Sequence, residues 1–142
     1  MLTYEDLFIA YQGNLDLANR MIKSFPSQEQ EWKRVKFAVF RMFQELRMSC
    51  DDAPEFEDCV HYDPKFADKY PPQEYFSEGT GETYVFPVIG ELTYRGLTLP
   101  IYVDDYGCQN FITIDGEDIP IETMGGIWDW YYPIDKHIDK ID

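Results

Sequence analysis

The side chains in this chain that could do chemistry are mostly carboxylates. Twenty-seven Asp and Glu stand against twelve Lys and Arg and two His. The densest run is Asp51, Asp52, Glu55, Glu57 and Asp58, with Asp63 beyond it. Hard cations want several such oxygens, but the run lacks the fixed odd-position ligands, central Gly and closing Glu of an EF-hand loop. It reads instead as a solvated loop or as a docking patch for a basic partner. A second pair, Asp104-Asp105, precedes Tyr106-Gly107 where a β-rich run ends, and acids with a Gly also make ordinary turns. General acid–base work needs one carboxylate with a raised pKa beside another that stays ionised. Abundance alone does not identify such a pair.

Thiols and imidazoles are sparse. Cys50, Cys59 and Cys108 contain no close Cys pair of the kind structural zinc sites use, and of the nearby residues only Cys59 and His61 could share a metal. None of Ser24, Ser27, Ser49 and Ser77 lies in a Gly-x-Ser-x-Gly elbow. Cys59 with His61 lacks a third orienting group nearby in sequence, which weakens it as a nucleophile–base pair. Gly79-Thr80-Gly81 has no Gly-Lys-Ser/Thr after it, and Glu78 and Glu82 on either side would repel phosphate, so it is a loop. No catalytic residue, metal or cofactor is assigned on this basis. The run Trp128-Asp129-Trp130-Tyr131-Tyr132 offers Trp128 and Trp130 as aromatic anchors for a partner if it is an exposed strand; the commoner fate of such a run is to close a core.

The net charge of −15 argues against binding to a nucleic-acid backbone, which needs clustered Lys and Arg, and disfavours anionic membrane surfaces. The imbalance is local. Residues 1–47 hold seven basic and six acidic side chains, net +1; residues 48–142 hold five and twenty-one, net −16. No apolar stretch approaches a membrane span. Met1 to Asp6 show neither a positive nor an apolar leader segment, so a cytoplasmic protein with three reduced thiols is expected.

The elements that must position these residues fall in two halves. Thr3 caps a first helix ending at Gly13, and Asn14 opens a second that Pro26 halts. Ser27 with Gln30 forms a capping box for the longest helix, about residues 28–48, with Trp32, Val35, Val39, Met42, Phe43 and Leu46 at helical spacing. Residues 49–82 form a long connecting segment with a short helix begun by Asp63 and Pro64, the rest wrapping the core through Phe56, Tyr62, Phe66, Tyr70, Tyr75 and Phe76. From Thr83 the runs are β-rich, punctuated by Gly90 and Arg95-Gly96, and Asp115-Gly116 between two such runs predicts a type I′ hairpin. Pro87, Pro100 and Pro120 each remove a ladder donor and mark edges or bulges. Ile134, Ile138 and Ile141 form one stripe on a terminal helix begun at Pro133.

The expected fold is a single α+β domain, residues 1–142: N-terminal helices packed against an antiparallel four- to five-stranded meander, with a short C-terminal helix. The stretch Leu97 to Glu117 is similar to sheet cores of small bacterial immunity proteins, through residues that any hairpin would use, and assigns no family. The favoured function is a non-enzymatic acidic binding protein that engages a basic protein surface through Asp51, Asp52, Glu55, Glu57, Asp58, Asp104, Asp105, Trp128 and Trp130. Its sharpest form is an inhibitor of a nucleic-acid-handling protein, as a bacterial or phage immunity or anti-defence factor would be. The alternatives are a small carboxylate- or metal-dependent hydrolase and an accessory structural subunit.

Overall fold

A computed structural model describes residues 2–104, 109–123, 126–127 and 129–142. The chain has the expected α+β make-up, and it divides into two compact units, residues 1–54 with 132–142 and residues 55–131.

The first unit is built on two long helices, α1 (Tyr4–Ser24) and α2 (Glu29–Arg47), joined by a 3-10 turn over Pro26–Gln28. Thr3 caps α1 as expected, its Oγ1 accepting from the Asp6 N–H at 3.2 Å. The helix does not stop at Gly13. Leu7, Tyr11, Leu15 and Ala18 form one buried stripe that continues in register through the Gly, and the Asn14 amide donates to the Ala10 carbonyl. A mid-helix Gly costs about 1 kcal/mol, which burial of such a stripe outweighs. The Ser27–Gln30 capping box is likewise absent, because Ser27 sits inside the 3-10 turn and α2 starts at Glu29 with no side-chain cap bond.

The buried face of α2 also differs from the expected one. It carries Lys36, Phe40, Phe43, Gln44 and Arg47, while Val35, Met42 and Leu46 are exposed and Trp32 and Val39 half-buried. Partners decide this rotation. Phe43 stacks on Tyr11 with ring centroids 4.1 Å apart, and each polar member of the face has a bond. Lys36 Nζ donates to the Lys140 carbonyl at 3.1 Å, Gln44 Nε2 to Asp135 Oδ2 at 2.8 Å, and Arg47 to the Pro54 carbonyl at 3.0 Å. The terminal helix α5 (Tyr131–Ile138) buries Ile134, and Ile141 lies buried beyond it; Tyr11 Oη donates to Asp139 Oδ2 at 2.6 Å. Lys140, at φ +54°, turns the chain out of this helix.

The second unit opens with the one-turn helix α3 (Phe56–Cys59), strand β1 (Val60–Tyr62) and the one-turn helix α4 (Phe66–Lys69). The expected short helix is present but starts two residues later than expected. Asp63 and Pro64 form a turn ahead of it, the Asp63 carboxylate accepting from the Lys65 N–H at 2.9 Å, and α4 begins at Phe66 with no side-chain cap bond. A separate two-stranded ribbon follows, β2 (Gln73–Ser77) with β3 (Glu82–Phe86). Then come β4 (Val88–Tyr94), β5 (Leu97–Val103), β6 (Gln109–Ile114), β7 (Glu117–Thr123) and β8 (Gly126–Ile127). The main sheet is antiparallel in the order β1-β4-β5-β6-β7-β8, a four-stranded meander with a short strand at each edge.

Two turns carry the meander. Asp115 and Gly116, at φ +53° and +80°, join β6 to β7, and Arg95 and Gly96, at +51° and +81°, join β4 to β5. Both pairs have the positive φ at each central residue that a type I′ turn needs. Alternation then sends Leu92, Tyr94, Ile101, Ile112 and Ile114 to one buried face, with Ile121 beside them at a bulge in β7. The opposite face bears Glu91, Thr93, Thr98, Tyr102, Phe111 and Thr113. Pro87 is the break between β3 and β4. Pro100 lies where β5 has no described partner on β6, since those two strands pair only at Tyr102–Phe111 and Val103–Asn110.

Gly90 does not punctuate the sheet; it lies inside β4, beside a bulge, because β1 comes very close there. A Cβ on Gly90 would stand 2.5 Å from the His61 carbonyl oxygen. The two glycine sites therefore predict different losses. Gly116→Ala and Asp115→Ala strain only a turn in open space and should each cost about 1 kcal/mol, read as a lower denaturation midpoint at unchanged m-value. Gly90→Ala must move a backbone, so it should cost about 1–3 kcal/mol and selectively speed amide hydrogen exchange in Val60–Tyr62. Equal losses at Gly90 and Gly116, with β1 still protected, would contradict this.

Candidate interaction surface

The charge imbalance belongs to one unit. Residues 55–131 contain sixteen Asp and Glu against three cations (Lys65, Lys69 and Arg95), net −13, whereas the helical unit holds eleven acids and nine bases, net −2. Of the fourteen acids in the β-rich unit whose side chains are described, eleven are exposed, so most of them face water. Among the described residues no three His, Cys, Asp or Glu side chains are grouped as a metal would need.

The acidic run singled out by sequence is divided between the units. Asp51 and Asp52 belong to the helical unit and Glu55, Glu57 and Asp58 to the β-rich one, all five exposed. Asp52 serves the fold directly. Its Oδ1 accepts from the Tyr4 N–H at 2.9 Å, on the first turn of α1, where the helix dipole favours an anion. Glu57 and Asp58 lie in the first turn of α3. Asp104 is half-buried, and its N–H donates to the Gln109 carbonyl across the β5–β6 connection. Asp105, Cys108 and Trp128 lie outside the described residues. Cys50 is a buried thiol whose Sγ approaches the Leu46 carbonyl; burial first, then Asp52 and Asp51, push its pKa up, which makes it a poor nucleophile.

Trp130 closes the core instead of offering a surface. It is 5% exposed, with its ring against Tyr94, Phe56 and Tyr131. Among the described residues of the aromatic run, Trp130 lies in a turn and Tyr131 and Tyr132 already start α5, so these do not form the expected strand. Tyr132 packs its ring beside Phe40, 5.2 Å between centroids.

Glu91 was not among the residues that sequence singled out. It projects from β4 beside the register partner His61, and its Oε2 accepts from Lys69 Nζ at 2.7 Å and from the Tyr70 hydroxyl. Its visible signal was a lone acid in the interior of a β-rich run, where an unpartnered carboxylate is costly. The Lys69 ammonium first, then the Tyr70 hydroxyl, hold the Glu91 carboxyl below the usual carboxylate range, while burial works the other way. The bond to Glu91 raises both Tyr70 and Lys69. A carboxylate held ionised in this way is the reverse of a general acid. It latches α4 to the sheet. Between α4 and the ends of β4 and β5 lies an open groove of about 700 Å³, walled by Pro64, Ala67, Pro87, Val88, Ile89 and Val103. Its rim carries Tyr62, whose hydroxyl accepts from Asn110 Nδ2 at 3.2 Å.

The latch has a defined pH window. A depressed Glu91 pKa contributes stability above the unfolded carboxyl value, and that stability is lost as pH falls through the folded one. Raised Tyr70 and Lys69 pKa values contribute below their unfolded values and lose that as pH rises through the folded ones. Glu91→Gln should therefore lower Tm most between about pH 5 and about pH 9, with the deficit shrinking towards pH 3. It should also lower the Tyr70 phenol pKa, with burial still holding it above the ordinary value, read by absorbance at the phenolate band. Trp130→Ala should cost about 3–5 kcal/mol in chemical denaturation, as core truncations of this size do; a loss under 1 kcal/mol would argue against its core position. Set against protein-family models, curated proteins and solved structures, the chain matches none, so function is read from these residues alone.

Proposed function

We propose that this chain is a non-enzymatic acidic binding protein whose β-rich unit engages a basic surface on a partner protein. The observation that carries this reading is the net charge of −13 on residues 55–131, displayed on mostly exposed carboxylates. Such a surface steers a basic partner and raises the association rate more than it lengthens the bound lifetime. In its sharpest form the partner is a nucleic-acid-handling protein and the carboxylates occupy its phosphate-binding groove, as an immunity or anti-defence inhibitor would. The hydrolase alternative is less well supported, because the paired carboxylate Glu91 is held ionised by Lys69 and Tyr70.

The test is displacement of labelled duplex DNA from a panel of basic nucleic-acid-binding proteins, followed over a salt series. Displacement by this chain should weaken steeply as salt rises, since screening shortens the reach of charge from about 30 Å at 0.01 M to about 8 Å at physiological ionic strength. The variant Asp51→Lys, Glu55→Lys, Glu57→Lys, Asp58→Lys spares Asp52, whose bond to α1 is structural, and should slow association about tenfold with dissociation little changed. A partner whose binding ignores both salt and these reversals would overturn the reading.

A further inference from the structure

Beside its main sheet the β-rich unit carries a separate ribbon formed by β2 and β3. Register pairs Gln73 with Phe86, Tyr75 with Tyr84, and Ser77 with Glu82 on one of its faces. That face is anchored at one end: Gln73 Nε2 bonds Thr113 Oγ1, and the Phe86 ring meets Phe111 edge-on at 5.6 Å. The other face pairs Glu74 with Val85 and Phe76 with Thr83, and all four are exposed, Phe76 at 59% and Val85 at 44%. Tyr75 is also 59% exposed, although its ring stacks on Tyr84 at 6.5 Å. Tyr75 and Phe76 thus do not wrap the core, as their sequence context suggested.

Three features of this ribbon belong together. First, neither strand pairs with a third among the described residues, so each has an open edge of backbone donors and acceptors. Natural sheets blunt such edges with charged side chains, most often Lys, or with Pro. Here Pro71, Pro72 and Pro87 only flank the strands, and the charges within residues 73–86 are all acidic, which would deter a like-charged strand and admit a basic one. Second, a bare two-stranded ribbon is marginal in water, yet this one spends four aromatic residues, Tyr75, Phe76, Tyr84 and Phe86, on fourteen positions. Third, its only charges are the exposed carboxylates of Glu74, Glu78 and Glu82. An edge open to pairing, apolar side chains on the outer face and uncompensated negative charge together specify the occupant.

We propose that the ribbon captures an extended, arginine-bearing segment of the basic partner as a third β-strand, a proposal that rests on the binding function above. Ladder hydrogen bonds supply the register, as in other strand-addition complexes. Phe76 and Val85 cover apolar side chains of the incoming strand. Glu74, Glu78 and Glu82 accept the guanidinium groups, to which carboxylates bond in bidentate fashion, and the exposed Tyr75 ring offers a face for cation–π contact.

The probe is a fluorescent peptide of alternating arginine and valine, compared with the same peptide N-methylated at alternate residues so that it cannot complete a ladder. The unmodified peptide should bind, and N-methylation should weaken it about tenfold or more. Glu74→Gln, Glu78→Gln, Glu82→Gln together, and Phe76→Ser alone, should each weaken binding by a similar factor with an unchanged melting transition. Hydrogen exchange on the unmodified protein should show new amide protection in Gln73–Ser77 or Glu82–Phe86, a readout that does not depend on the variants folding. Equal binding of both peptides, or protection elsewhere, overturns the ribbon as the site. If the ribbon variants bind normally while the Asp51, Glu55, Glu57 and Asp58 reversals abolish binding, the ribbon is wrong and the acidic reading stands. If neither peptide binds at about 0.01 M salt, where charge reaches furthest, both fall.

Discussion

An ionised carboxylate cannot leave water without partners except at a cost of several kcal/mol, and that constraint organises both units. In the β-rich unit it forces most of sixteen acids onto exposed positions and leaves the inner sheet face to Leu92, Ile101, Ile112 and Ile121, all fully buried. Where a carboxylate does come inside, a dedicated arrangement receives it. Glu91 is met by Lys69 and Tyr70, and Asp135, fully buried in α5, by the Gln44 amide. Each arrangement also does mechanical work, the first holding α4 to β4 and the second holding α5 to α2.

The helical unit shows what such bonds decide beyond stability. Its apolar stripe on α1 would accept α2 in several rotations, because Val35, Met42 and Leu46 are as apolar as the side chains that are buried. The chosen rotation brings Lys36, Gln44 and Arg47 within reach of the Lys140 carbonyl, Asp135 and the Pro54 carbonyl. Once inside, each of these groups needs its partner, since a buried polar group left unbonded costs about 1–3 kcal/mol. Burial pushes the Lys36 pKa down, and the nearby Asp142 and Asp139 oppose that shift. The polar contacts thus satisfy the buried polar face of α2.

The same constraint bears on the proposed function. Charge that cannot be buried stays exposed, and the net charge of −13 on residues 55–131 repels itself and would favour a basic partner. In that proposal the ribbon of β2 and β3 adds what charge lacks, an open backbone edge and exposed apolar side chains that would give the attraction a defined geometry. In the proposed function, a long-range, non-directional attraction and a short-range, directional template would be complementary parts of one surface.

Several features were legible in the residues alone because their causes are local. Asp115-Gly116 makes its turn through backbone φ preferences that no distant residue alters, and Thr3 finds the Asp6 N–H three residues away. The charge imbalance is a matter of composition, and the alternation of β4 to β7 needs only a period of two. What tertiary structure alone decided depended on sums over distant partners. Gly13 stays helical because four buried residues of α1 outweigh its propensity; α2 turns its polar residues inward because the far end of the chain brings their partners; Gly90 sits inside a strand because β1 passes 2.5 Å from where a Cβ would be. Glu91 was one acid among twenty-seven until the fold placed Lys69 and Tyr70 against it. Trp130 and Phe76 are both large aromatics, and nothing local separates them. One lies between Tyr94 and Phe56 and the other faces water, because burial is a property of the neighbours that a fold assembles and not of the side chain itself.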